Sequence, residues 1–167
     1  LLREFDFEYP EKIDIRGYKP NYKGHKLQIK RIADAVKKAR SPVICAGGGV
    51  ISANAVEELI QFAEKCRIPV TTTLMGIGAV DSFHELYMGM VGTHGAKSAN
   101  IAINNTDLLI LAGARVGDRA MGQAQRISEK AMIIHIDIDP AEIGKNIDTS
   151  IPVVGDVKLV LKDLLKM

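Results

Sequence analysis

Short apolar runs that stop abruptly at glycine or polar residues, alternating with stretches of helical spacing, constrain this chain more than any other feature. SPVICAGGG, IPVTTTLMG, DLLILAGAR and MIIHIDIDP are such runs. Their apolar, β-branched character without in-out alternation suits strands buried on both faces. Strands of that kind separated by helices predict an α/β domain, a three-layer parallel sheet with helices on both faces. Ligands of such sheets bind at the carboxyl ends of the strands.

The spacing of Leu27, Ile29, Ile32, Ala33 and Val36 predicts a helix over residues 25–40, ended by Ser41-Pro42. A strand over Val43 to Ala46 follows, then a helix whose start reads as a capping box of Asn54 with Glu57. The segment from Met75 to Gly95, rich in glycine and poor in period, reads as a long ligand loop. Residues 96–105 read as a short helix, Pro140 as leading a further helical turn, IPVV as an edge strand and VKLVLKDLLKM as a closing helix.

With 167 residues, 47% of them hydrophobic, the chain has material for one core. Its 22 basic and 20 acidic residues give a net charge of +2, which leaves no electrostatic footprint for nucleic acid or an anionic membrane. No apolar stretch approaches the roughly 18 residues of a membrane span. Cys45 and Cys66 read as reduced thiols in a cytoplasmic protein. The start at Leu1 and the lack of period in the first two dozen residues read as a linker, residues 1–24, entering one domain at 25–167 from something upstream.

Four strand ends carry candidate ligand groups. Gly47, Gly48 and Gly49 would let a backbone approach a pyrophosphate or ribose closely, or would simply make a tight turn. Their spacing is not the dinucleotide fingerprint, since the sixth position from Gly47 is Ser52 and no acid ends IPVTTTL. Arg115 and Arg119 flank a glycine turn where guanidinium groups could grip phosphate, or are ordinary surface arginines. Asp137 and Asp139 are expected to face apart, one accepting from a ribose or adenine and the other capping the Pro140 turn. The histidines and cysteines lack metal-ligand spacing, and no nucleophile motif occurs, so neither a metal nor a catalytic residue is assigned.

SPVICAGGGVISANA, IPVTTTLMGIGA, MGMVGTHGAKSAN, DLLILAGARVGDR and IIHIDIDPAEIGKN, in this order and spacing, resemble the central domain of acetohydroxyacid synthase (acetolactate synthase) large catalytic subunits over nearly the whole chain. The resemblance implies a Rossmann-like fold of the DHS-like NAD/FAD-binding type. It also implies FAD bound here in a structural role, with thiamine diphosphate and Mg2+ held by two flanking domains of the same longer chain. Gly47, Gly48, Gly49, Gly113, Ala114, Arg115 and Arg119 would hold the phosphates and ribose of FAD. Thr73, Leu74, Met75, Val91, Gly92 and His94 would lie along its flavin half, with Asp137, Ile138, Asp156 and Val157 at the adenine end.

The intact family condenses pyruvate with pyruvate or 2-ketobutyrate in branched-chain amino-acid biosynthesis, as a homodimer or tetramer with a regulatory subunit. The fragment alone would be inactive. The chain departs from the family's GARFDDR at Val116 and Gly117, and Thr93 stands where methionine is common. A flavin-free middle domain of a thiamine-diphosphate enzyme, or a stand-alone nucleotide-binding or electron-transfer flavoprotein domain, is the alternative.

Overall fold

In a computed structural model the apolar runs become one sheet of six parallel strands in the order β3-β2-β1-β4-β5-β6. The structure describes residues 6, 8, 9, 11, 20–122 and 124–167, leaving aside the side chains of 118 and 119. The strands are β1 Pro42–Ala46, β2 Val70–Thr72, β3 Tyr87–Met90, β4 Leu108–Ala112, β5 Met132–Asp137 and β6 Ile151–Val154. The helices are α1 Lys26–Lys38, α2 Gly48–Ser52, α3 Val56–Cys66, α4 Lys97–Asn105, α5 Asp118–Met121, α6 Ala124–Ser128 and α7 Val157–Leu165. This strand order is that of dinucleotide-binding sheets, and it reverses direction between β1 and β4.

Side-chain alternation splits the core in two. On one face Ile44, Ile110 and Ile134 pack with α1, α3 and α7 through Ile32, Leu59 and Leu161. On the other, Cys45, Leu111 and Ile133 pack with α4, α5 and α6 through Ile103, Met121 and Ile127. The three-layer arrangement expected from the sequence is therefore borne out.

Polar contacts lock α7 to α3. Lys158 and Lys162 lie 3.5 and 3.6 Å from the nearly buried Glu58, and Lys65 Nζ donates to the Leu165 carbonyl at 2.7 Å. The α1–β1 corner is tied to the start of β4 by Asp107, which accepts from the amides of Arg40 and Ser41 at 2.7 and 2.9 Å. Burial raises the Asp107 carboxyl, but those amides, its own backbone N–H and the Arg40 charge together outweigh it and the net shift is downward.

Several local expectations are corrected. The loop over residues 75–95 contains β3, paired with β2 at the sheet edge. No capping box forms: Ala55 is the N-cap of α3 without a side-chain bond, and Asn54, at φ 49°, lies in the left-handed region just past α2. The segment after Pro140 makes turns, not a helix. α5 and α6 were not expected, because four or five residues are too few to show a helical period. β6 does form an edge strand, with Pro152 opposite His135.

Candidate functional site

The carboxyl ends of β1 and β4 meet at the point where the strand order reverses, and the glycines there contact each other. Gly47 N–H donates to the Ala112 carbonyl and Gly49 N–H to the Gly113 carbonyl, both at 2.9 Å. A Cβ on Gly49 would stand 2.7 Å from the Gly113 Cα, and Gly113 itself has φ +54°. Gly47 and Gly49 are thus small because the β4 turn lies against them. Gly48 faces another way, where its Cβ would meet Met75 at 3.1 Å.

Beside this contact opens a cleft of about 150 Å3 lined by Gly49, Ser52, Ala53, Gly113, Asp137, Ile138, Asp156 and Val157. Six of these eight were singled out in the sequence, from four separate segments. Ser52 and Ala53 were missed, although Ser52 occupies the sixth position of the glycine turn. The cleft is smaller than the roughly 300–1,000 Å3 of a complete small-molecule site, so it suits one end of a ligand that continues over open surface.

Both carboxylates in the cleft are anchored by one oxygen. Asp137 Oδ1 accepts from the Asp139 amide at 3.0 Å, and Asp156 Oδ1 caps α7 by accepting from the Leu159 amide at 3.0 Å. The second oxygen of each has no protein donor among the described residues, and no cation lines the cleft. The lining therefore suits a neutral group rich in O–H or N–H donors better than a phosphate.

Asp137 and Asp139 do part, for a different reason than strand alternation. A spacing of two would put both on one face of a continuing strand. β5 ends at Asp137, and Asp139 instead turns to accept from the Ala141 amide at 2.9 Å.

The cationic group lies on the β4 turn. Arg115 is 79% exposed in its side chain and its Nε sits 3.8 Å from the largely covered Glu142, a long contact that Glu142 shares with Lys145 at 3.1 Å, so the guanidinium is free to meet an anion. Ala114 is buried beneath it. Arg119 falls in α5, and its side chain lies outside the described residues. The departures from the family pattern spare the cleft. Val116 is buried in the second core, its carbonyl accepting from Asn146 Nδ2 at 2.6 Å, and a Cβ on Gly117 would meet open space.

At the β2 exit Thr73 is buried, whereas Leu74 and Met75 are 69% and 74% exposed next to Gly48. Val91 turns its side chain into the second core. Gly92 is held by Asn100, which accepts its N–H and donates to its carbonyl, both at 3.0 Å. His94 is exposed beyond β3. Of the residues expected along this rim, Leu74, Met75 and His94 are thus open to a ligand, whereas Thr73 and Val91 are buried, the Val91 N–H donates to the Thr72 carbonyl, and both polar groups of Gly92 are engaged.

Elsewhere, a larger opening of about 730 Å3 lies between α6 and the β5–β6 connection; none of the candidate cofactor residues lines it, although Gly144, Lys145 and Asn146 at the end of the IIHIDIDPAEIGKN motif do. The Cys45 thiol is pushed up to about 12 by burial, partly offset by a hydrogen bond to Thr71, and it is not a nucleophile. No helix among the described residues is long and apolar enough to cross a membrane.

Comparisons with known proteins give the family of the chain. Residues 29–164 match the family model of the thiamine pyrophosphate enzyme central domain. The chain is 53% identical over 165 residues to a probable acetolactate synthase large subunit of Methanocaldococcus jannaschii, covering 97% of this chain and 28% of that protein. It is 48% identical to the acetolactate synthase large subunit of Corynebacterium glutamicum, covering 98% and 26%, and 43% identical to that of Haemophilus influenzae, covering 97% and 28%. It spans less than a third of the length of these relatives. The resemblance read from the strand-end motifs is thereby borne out, and the chain belongs to the thiamine pyrophosphate enzyme central-domain family.

Proposed function

We propose that this chain is the nucleotide-binding central domain of an acetolactate synthase large subunit and that it holds FAD. One observation carries the reading: Gly49, Gly113, Asp137, Ile138, Asp156 and Val157, from four segments, converge on one cleft where the strand order reverses. The free oxygens of Asp137 and Asp156 would accept from the adenosine end. Arg115, with Arg119 in α5 just past that turn, would take the pyrophosphate, and the flavin half would run past Gly48 over Leu74 and Met75 toward Gly92 and His94.

FAD would supply a bound scaffold here rather than electrons for the net reaction. Thiamine diphosphate with its Mg2+ would be held by other domains of a longer chain, as the likeness to acetolactate synthase large subunits implies, since the chain spans less than a third of those relatives. Those domains would join pyruvate to pyruvate or 2-ketobutyrate in the cytoplasm, and would form the dimer or tetramer and meet the regulatory subunit.

Residues 1–24 would be the linker from an upstream domain. In support, Tyr22 accepts from the Asp156 amide at 2.9 Å, and the backbone of Gly24 would meet a Cβ on Gly155 at 2.9 Å. Calorimetric titration of the chain with FAD, ADP and NAD tests the reading. FAD and ADP should bind, and Arg115→Ala should weaken both by about fivefold or more, the loss of one charge-assisted contact. Tight binding of NAD with no binding of FAD would refute it.

A further inference from the structure

His135 is the one fully buried titratable side chain on β5, with 0% of its surface exposed. Its Nε2 lies 3.1 Å from the Ala114 carbonyl, a group that can only accept, so Nε2 carries the hydrogen. Its Nδ1 is buried with no partner among the described residues. A polar ring with an orphaned nitrogen is a costly way to fill a core position that Leu or Met could occupy, which points to a role beyond packing.

The peptide joining Ala114 to Arg115 is trans and planar, so its N–H points opposite to its C=O. With the Ala114 carbonyl held into the core, the Arg115 N–H is aimed outward. Among the described residues that N–H has no acceptor. The same residue therefore presents a backbone donor and a guanidinium from one turn, which is how proteins build a seat for a phosphate.

We propose that His135 is the positioning residue of this seat: by holding the Ala114 carbonyl it fixes the Arg115 amide toward the phosphate of a bound nucleoside diphosphate. The proposal rests on the nucleotide reading above. Asp137, two residues further along β5, lines the nucleoside end, so one strand sets both ends of the site.

ADP and adenosine, titrated by NMR into wild type, His135→Leu and His135→Gln, provide the test. Leucine removes the donor, whereas the glutamine amide restores a donor near the Nε2 position. His135→Leu should lose affinity for ADP by about fivefold, the worth of one hydrogen bond, while leaving adenosine unchanged. His135→Gln should bind ADP within about twofold of wild type, the donor being kept. Equal losses for ADP and adenosine, or no loss in His135→Leu, would overturn the positioning role. Should His135→Leu lack a cooperative melt, His135→Asn, too short to reach the carbonyl, takes its place with the same expectations. If wild type binds neither compound, the nucleotide reading itself fails, which is distinct from any outcome among the variants.

Discussion

A Cβ built on Gly49 would stand 2.7 Å from the Cα of Gly113, and one built on Gly113 would stand 2.7 Å from the Cα of Gly49. The two turns that flank the reversal of strand order thus touch backbone to backbone, and the cleft beside them exists because neither carries a side chain there. Gly113→Ala adds this collision to a φ of +54°. It should cost about 3 kcal/mol or more in a denaturant melt, at the upper end for overpacking a core. Gly117→Ala, where a Cβ meets nothing within 4 Å, should change stability by less than about 0.5 kcal/mol. Similar losses for both would show that the two turns can move apart.

The two carboxylates of the cleft set the charge it accepts. ADP with a further phosphate on its 2′-hydroxyl should bind at least about tenfold more weakly than ADP, because like charges brought together in a partly buried site cost more than a kcal/mol. Asp137→Asn should narrow that gap. Competition binding that ranks the two ligands equally would place the ribose elsewhere.

Burial holds the His135 imidazole below its usual range, and the Asp137 charge, the bond to the Ala114 carbonyl and the Glu142 charge only partly offset this. Its folded pKa is therefore below its unfolded one, near 6.5. The unfolded chain takes up the proton first, so this contribution to stability is complete above that value and is lost as pH falls toward the folded pKa. Thermal melts between pH 7 and pH 5 should fall more steeply for wild type than for His135→Leu. Parallel slopes would contradict the assignment of a neutral buried ring.

The thiols should differ in reactivity. Cys45 is fully buried with its pKa near 12, whereas Cys66, at the end of α3, is half-buried and raised less. A thiol reagent at pH 8 should label Cys66 in the native protein and reach Cys45 only on unfolding. Equal labelling rates would mean that the second core opens readily.

The parallel sheet was legible because its central strands are unbroken apolar runs, and the convergence of their carboxyl ends follows from the alternation of strand and helix. β3 was not, since Tyr87–Met90 carries a glycine at φ +95°, is half-buried and pairs across a register shift between Val70 and Thr71. Asn54 and Glu57 have the letters of a capping box, yet Asn54 is used to leave α2 in a left-handed turn, a conformation asparagine tolerates. The glycines announced a close approach but not by what: Gly47 and Gly49 meet the β4 turn, a contact between segments some 65 residues apart. Glu142 beside Arg115 and His135 beneath Ala114 left no sequence signal, because each acts through a pairing that only the register of β4 and β5 creates.

The most direct test of the central claim is to follow backbone amide shifts by NMR as ADP is added to the chain. Perturbations are expected at Gly49, Gly113, Arg115, Ile138, Asp156 and Val157, around the cleft where the strand order reverses. Perturbations confined instead to residues around the larger opening, such as Arg126, Lys145 and Asn146, would contradict that claim.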